Sequence, residues 1–182
     1  MFRCRLLILA LIAFALLHGG AVHAIETIKP PLGLSWRESA PTIEKLLKNA
    51  KAKIVVKRPV DGGLEAWEVE GVVLTGLKRT IFYFKKNASG TQELVEVELQ
   101  YQREDWDQRR YDEFMGQVRS AIQRKFGEGA QIVGKDMPEG NIVQRLVGYK
   151  WAQNNAAIEL YYYSAQNAQN VLKMISVHYK TR

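Results

Sequence analysis

Within Glu93-Leu94-Val95-Glu96-Val97-Glu98-Leu99-Gln100-Tyr101-Gln102, apolar and polar side chains alternate strictly from Val95 to Gln102. Successive side chains of a β-strand point to opposite faces, so Val95, Val97, Leu99 and Tyr101 share a buried face while Glu96, Glu98, Gln100 and Gln102 share a wet one. The same pattern returns 78 residues later, where Leu94, Val97, Leu99 and Tyr101 fall on Leu172, Ile175, Val177 and Tyr179. Extended outward, the shift lays Ile54–Arg103 over the second half without a gap. Lys57 falls on Lys135, Asp61-Gly62 on Glu139-Gly140, Val69 on Val147, and Phe82-Tyr83-Phe84 on Leu160-Tyr161-Tyr162. Identities are few; the register of apolar and turn positions carries the repeat.

Each copy reads as one helix and four strands. Pro30-Pro31 makes Ile25–Leu34 an extended lead-in. A first helix starts at an N-cap Ser39 with Pro41 in its first turn and Ile43, Leu46, Leu47 and Ala50 as its apolar stripe. Strands are expected at Lys53–Arg58, Glu65–Leu74, Arg79–Lys85 and Glu93–Gln102, with turns at Asp61-Gly62-Gly63, Thr75-Gly76 and Asn87–Gly90. Asp105 or Asp107 caps a second helix, whose Tyr111, Phe114, Met115, Val118, Ile122 and Phe126 keep a three-four rhythm until Gly127. Strands at Gln131–Lys135, Ile142–Trp151, Ala157–Tyr163 and Val171–Tyr179 follow. No flexible linker separates the halves. The expectation is an α+β fold of tandem α-β-β-β-β repeats (about 35–104 and 105–182), its single antiparallel sheet of about eight strands carrying two helices on one face.

Before Ile25 stands a different kind of sequence. Arg3 and Arg5, then twelve apolar residues from Leu6 to Leu17, then Val22-His23-Ala24, read as a signal peptide over 1–24 cleaved after Ala24. The apolar run is shorter than the roughly 20 residues a spanning helix needs. The expected location is therefore the periplasm or the medium, with 25–182 as one domain. Cys4 is the sole cysteine and leaves with the leader, which excludes disulfides from the exported form. Loss of Arg3 and Arg5 takes the formal net charge from +7 to +5. Lys45, Lys48, Lys51, Lys53 and Lys57 cluster around the first helix and strand, a solvated face that would also associate loosely with anionic envelope surfaces. Nucleic acid is not a partner an exported protein meets.

Little in the chain supports catalysis. His178 is the one histidine left after the leader, so serine triads, Cys-His pairs and His-rich zinc sites lack groups they need or would rest wholly on that one residue, which is read as a structural or surface position. Glu68 with Glu70, and Glu96 with Glu98, stand two apart on strands, about 7 Å along the rise, a spacing an inverting glycosidase could use. Alternating Glu is also the ordinary means of keeping a sheet soluble. Asn87-Ala88-Ser89 matches a glycosylation acceptor and is read as a turn. No cofactor is implied.

What remains is the sheet face turned away from the helices. If Phe82, Phe84, Val95, Val97, Leu99, Leu160, Tyr162, Ile175 and Val177 face the helices, then Tyr83, Tyr161, Tyr163, Glu96, Glu98, Gln100, Met174, Ser176 and His178 share the opposite side. Broken alternation at Gly71 and Gly148 leaves Trp67 and Trp151 open between core and surface. Tyrosines among polar groups suit protein recognition, because each offers a large rigid area and a hydroxyl. The expected function is thus a non-enzymatic binding or envelope-assembly module, monomeric, with a protein partner held by Tyr83, Tyr161, Tyr163, Glu96, Glu98, Gln100, Met174 and His178. A periplasmic glycan or peptidoglycan hydrolase using the paired glutamates, and a small-ligand carrier, are the alternatives.

Leu32-Gly33-Leu34-Ser35-Trp36 before a Ser-capped helix, the Lys125-Phe126-Gly127 helix end, a Trp strand and a terminal strand ending in Tyr179 resemble small exported bacterial proteins of the β-lactamase-inhibitor-protein and outer-membrane-assembly lipoprotein superfamily. The resemblance implies two helix-plus-strands repeats in one sheet whose concave face grips a partner protein. Departures are one helix per repeat instead of a pair, no disulfides, and no cysteine at the cleavage site. No inhibitory residue is carried over; only the architecture and the habit of binding proteins are.

Overall fold

The computed structural model describes residues 26–181, and the expected leader at 1–24 lies outside them. Two helices, α1 (Ala40–Asn49) and α2 (Gln108–Phe126), each precede four strands. These are β1 (Lys53–Val60), β2 (Leu64–Glu70), β3 (Leu77–Lys86) and β4 (Gln92–Tyr101), then β5 (Ala130–Glu139), β6 (Ile142–Gln153), β7 (Ala156–Gln166) and β8 (Val171–Thr181). All eight form one antiparallel sheet in the order β1-β2-β3-β4-β8-β7-β6-β5. The two halves join through β4 and β8, and the sheet stays open, with β1 and β5 as its edges. Both edges carry Pro and charge, Lys57, Arg58 and Pro59 on one and Lys135, Asp136 and Pro138 on the other, which discourages further strands from adding.

Leu99 pairs directly with Val177, its own counterpart 78 residues on. A pseudo-twofold axis therefore passes through that pair, and the repeat is as real in space as in sequence. The ungapped alignment is corrected farther out. Val97 pairs with Phe82, whereas its counterpart Ile175 pairs with Tyr162, so Phe82 corresponds to Tyr162 and not to Leu160. The second hairpin is two residues shorter. Because two is also the strand period, the slip leaves every side chain on its expected face.

Two local corrections concern β2 and β4. Glu65–Leu74 was expected as one strand, but it stops at Glu70, because Gly71 turns at φ 87° where a Cβ would lie 3.2 Å from the Ala52 Cα. In β4, Tyr83 pairs with Glu96 and Phe84 with Leu94, leaving Val95 as a bulge. Leu94, not Val95, is the fully buried residue.

The helices form where the capping chemistry placed them. Asp107 Oδ1 accepts the Arg110 N–H at 2.8 Å, and Gly127 ends α2 at φ 79°. Ser39 caps α1 by position, its Oγ 2.9 Å from Thr42 Oγ1. Of the α1 stripe, Ile43 and Leu47 are buried while Leu46 stays exposed. Asn87 is indeed a turn residue, its Oδ1 accepting from the Ser89 and Thr91 N–H groups.

Phe82, Phe84, Leu94, Val97, Ile158, Leu160, Ile175 and Val177 line the helix side of the sheet and are fully buried beneath Ile43, Leu47, Tyr111 and Ile122. Burying such a side chain contributes about 1.5–3 kcal/mol, so this layer supplies most of the driving force. The lead-in adds Ile28, whose N–H donates to Gln153 Oε1 at 3.0 Å and whose carbonyl accepts from Trp36 Nε1. Trp67 and Trp151 are core residues, each 2% exposed. No helix among the described residues is long and apolar enough to cross a membrane.

Candidate functional site

The face opposite the helices carries the chemistry. Strand pairing brings the expected residues together across β3, β4, β8 and β7. One row of directly paired residues reads Glu68, Ile81, Glu98, His178, Glu159 and Lys150 across β2 to β6. On one side of it run Tyr83, Glu96 and Lys180; on the other, Arg79, Gln100, Ser176, Tyr161 and Gly148. Met174 and Tyr163 pair one step farther along. All eight residues expected to hold a partner thus lie on one surface centred on the pseudo-twofold axis.

That surface differs from the expectation in one respect: its centre is not open. Glu98 and Ser176 are each 5% exposed, Glu68 and Glu159 are buried, and Tyr83, Tyr161 and Tyr163 are half-buried. No helix covers them. Their partners are one another and the groups around them: Glu68 and Glu159 each lie between two cations, and Glu96 and Glu98 are met by His178, Tyr83 and Gln100.

Glu159 accepts from Lys150 Nζ at 2.7 Å and from Tyr161 Oη at 3.1 Å, and Lys180 Nζ stands 2.9 Å away. Burial alone would raise its carboxyl, but the two ammonium groups outweigh that and bring its pKa down to about 2. Lys180 is raised in turn: burial opposes the charge, and Glu159 and Glu96 more than offset it. Glu68 lies between Arg79 at 3.2 Å and Arg58 at 3.5 Å. Glu98 accepts from Tyr83 Oη and Gln100 Nε2, each at 2.7 Å. Burial first, then the Glu98 carboxylate, push the Tyr83 phenol far above its ordinary value.

His178 closes the network at the axis. Its Nδ1 is 2.8 Å from Glu96 Oε1, and its Nε2 is 3.1 Å from Ser176 Oγ and 3.6 Å from Glu98 Oε1. A carboxylate only accepts, so Nδ1 bears hydrogen toward Glu96. The Tyr161 ring meets the imidazole edge-on at 5.6 Å. It lies across Gly148, where an added Cβ would come within 2.7 Å of the Tyr161 ring and of Val133 Cγ1. Gly148, which obscured the strand pattern in the sequence, is what lets Tyr161 lie down on the sheet. Gly148→Ala is expected to lower stability by about 1–3 kcal/mol through this overpacking and to shift the His178 ring resonances, measured by denaturation and NMR.

Sequence reasoning missed Glu159 and Lys180, although strand parity places them with Tyr161 and His178. Arg58, Arg79 and Lys150 come from strands whose register only the pairing reveals. Among the described residues no group of three or more His, Cys, Asp or Glu is arranged to hold a metal ion.

No family model matches this chain, and no curated protein or solved structure matches it either.

Proposed function

We propose that this chain is an exported binding module of the bacterial cell envelope that recognises a protein partner through the β3-β4-β8-β7 face. The observation that carries the reading is the preorganised surface itself. It spans both repeats, its charged groups are already fixed by one another, and Tyr163, Met174, Gln100 and Tyr83 surround them half-exposed. Rigid tyrosines around a prepaid polar network lose little entropy on docking. The resemblance to inhibitor and envelope-assembly proteins supports the same habit, and the leader read at 1–24 supports the location.

Tyr163 contacts its surroundings through a 3.1 Å hydroxyl donation to Gln144 and can be removed without opening the core. Immobilised protein should retain a specific envelope partner, and the Tyr163→Ala, Met174→Ala double variant should lose it while the midpoint of unfolding moves by no more than about 1 kcal/mol. Unaltered retention would contradict the assignment.

The hydrolase alternative draws less support. Of the paired glutamates it would use, Glu68 lies between two arginines, Glu96 and Glu98 are engaged by His178, Tyr83 and Gln100, and Glu70 stands at the exposed end of β2. Turnover of cell-wall fragments abolished by Glu96→Gln would favour it instead.

A further inference from the structure

We infer that the loop between β2 and β3, together with α1, docks the molecule on an anionic lipid bilayer, a site separate from the partner-binding face. Gly71–Gly76 projects Val73 and Leu74 from the end of the sheet while Val72 packs against the core, and Val73 is 93% exposed. Leu32, Leu46 and Leu74 are each 42% exposed. Leu32, Leu46 and Val73 rim an apolar groove of about 340 Å³ floored by Ile43, Leu47 and Phe82. That volume lies near the lower end of ordinary ligand sites and suits the end of one acyl chain. Leu32 is held there at φ 65°, a left-handed conformation that leucine adopts only where its surroundings impose it.

Charge selects the occupant. Lys51 leaves α1 beside the loop, its carbonyl oxygen 3.3 Å from where a Gly71 Cβ would stand. Lys53 stands opposite Glu70 in the β1-β2 register at the loop's first root, Lys78 follows its second root, and Lys48 lies in the last turn of α1. None of these four ammonium groups has an ion-pair or hydrogen-bond partner among the described residues. An apolar prow ringed by unpaired lysines matches the interface of a bilayer rich in anionic headgroups, where apolar side chains enter the acyl boundary and lysines meet phosphates. A second copy docked on the same patch would set its own lysines against these.

The test uses the exported chain and its variants, identical outside the substituted positions, with vesicles of phosphatidylglycerol and phosphatidylethanolamine or of phosphatidylcholine alone. The chain should float with the anionic vesicles, less so at high salt. Val73→Asp should weaken that binding at least about tenfold with unchanged melting, and Lys51→Glu with Lys78→Glu should remove the anionic preference. Tyr163→Ala should bind vesicles like the parent, which keeps this outcome independent of the partner-binding reading. Equal flotation of the Val73→Asp variant, no preference for anionic vesicles, or a concentration-dependent dimer that Val73→Asp dissolves would overturn the inference, the last assigning the patch to a second copy.

Discussion

Glu159→Gln is expected to cost about 3–5 kcal/mol at pH 7, because it leaves Lys150 and Lys180 facing each other over a group that no longer carries charge. The reason is local: Lys150 loses its only ion-pair partner among the described residues, Lys180 keeps only Glu96 at 3.8 Å, and Tyr161 loses its charged acceptor at the same time. The wild-type pH profile follows from the same pair. Glu159 titrates at about 2 in the fold and near 4.5 when unfolded, so its contribution is complete above the unfolded value and disappears as pH falls toward 2. Between about pH 5 and 2 this one group should remove on the order of 3 kcal/mol. Lys180, raised in the fold, makes the mirror-image contribution: present below the ordinary lysine value and lost as pH climbs past it. These are two ends of one interaction and are not added. Urea unfolding of wild type and Glu159→Gln from pH 7 to 2.5 checks the claim. The variant should be weaker at neutrality with a flatter acid limb, and parallel curves would show that the pair does not govern acid stability.

Trp151→Ala is expected to cost a comparable 3–5 kcal/mol for a different reason. The ring is 2% exposed, its Nε1–H donates to the Gly127 carbonyl at 2.9 Å, and it packs flat against Gly129. It therefore ties the C-terminal end of α2 to β6, and its removal leaves a cavity and an unsatisfied carbonyl together. Arg119 of α2 stacks 4.1 Å from the ring of Tyr149, which neighbours Trp151 and gives α2 a second contact with β6. Equilibrium denaturation followed by circular dichroism gives the number. A loss below about 1 kcal/mol would mean that α2 is anchored elsewhere.

The two variants also separate the two faces of the sheet. Trp151→Ala acts through hydrophobic packing and should be nearly independent of pH in the acid range, whereas Glu159→Gln acts through charge and should not.

Much of this architecture was legible before any coordinates. Alternation in β4, the three-four rhythm of α2, the Asp107 cap and the Gly127 stop are local statements, and local sterics and hydrogen bonding enforce them wherever the chain goes. Strand parity likewise assigned Tyr83, Glu96, Glu98, Gln100, Tyr161, Tyr163, Met174 and His178 to one face, since a pleated strand offers only two sides. The 78-residue repeat was visible because both copies bury the same faces.

Pairing register and the depth of the polar face belong to the tertiary structure. Whether Glu98 stands alone or beside His178 depends on β4 meeting β8, residues 80 positions apart, and no local pattern encodes that contact. The bulge at Val95 and the shorter second hairpin shift partners by one or two positions, too little to disturb periodicity yet enough to choose which ions meet. Gly148 looked like a flaw in a strand and proved to be the space in which Tyr161 lies. Side-chain periodicity is set residue by residue, so the sequence alone determined the elements and their faces; Coulombic partners are chosen across strands, so only the assembled sheet decided which cations and hydrogen-bond donors meet Glu68, Glu96, Glu98 and Glu159 on its uncovered side.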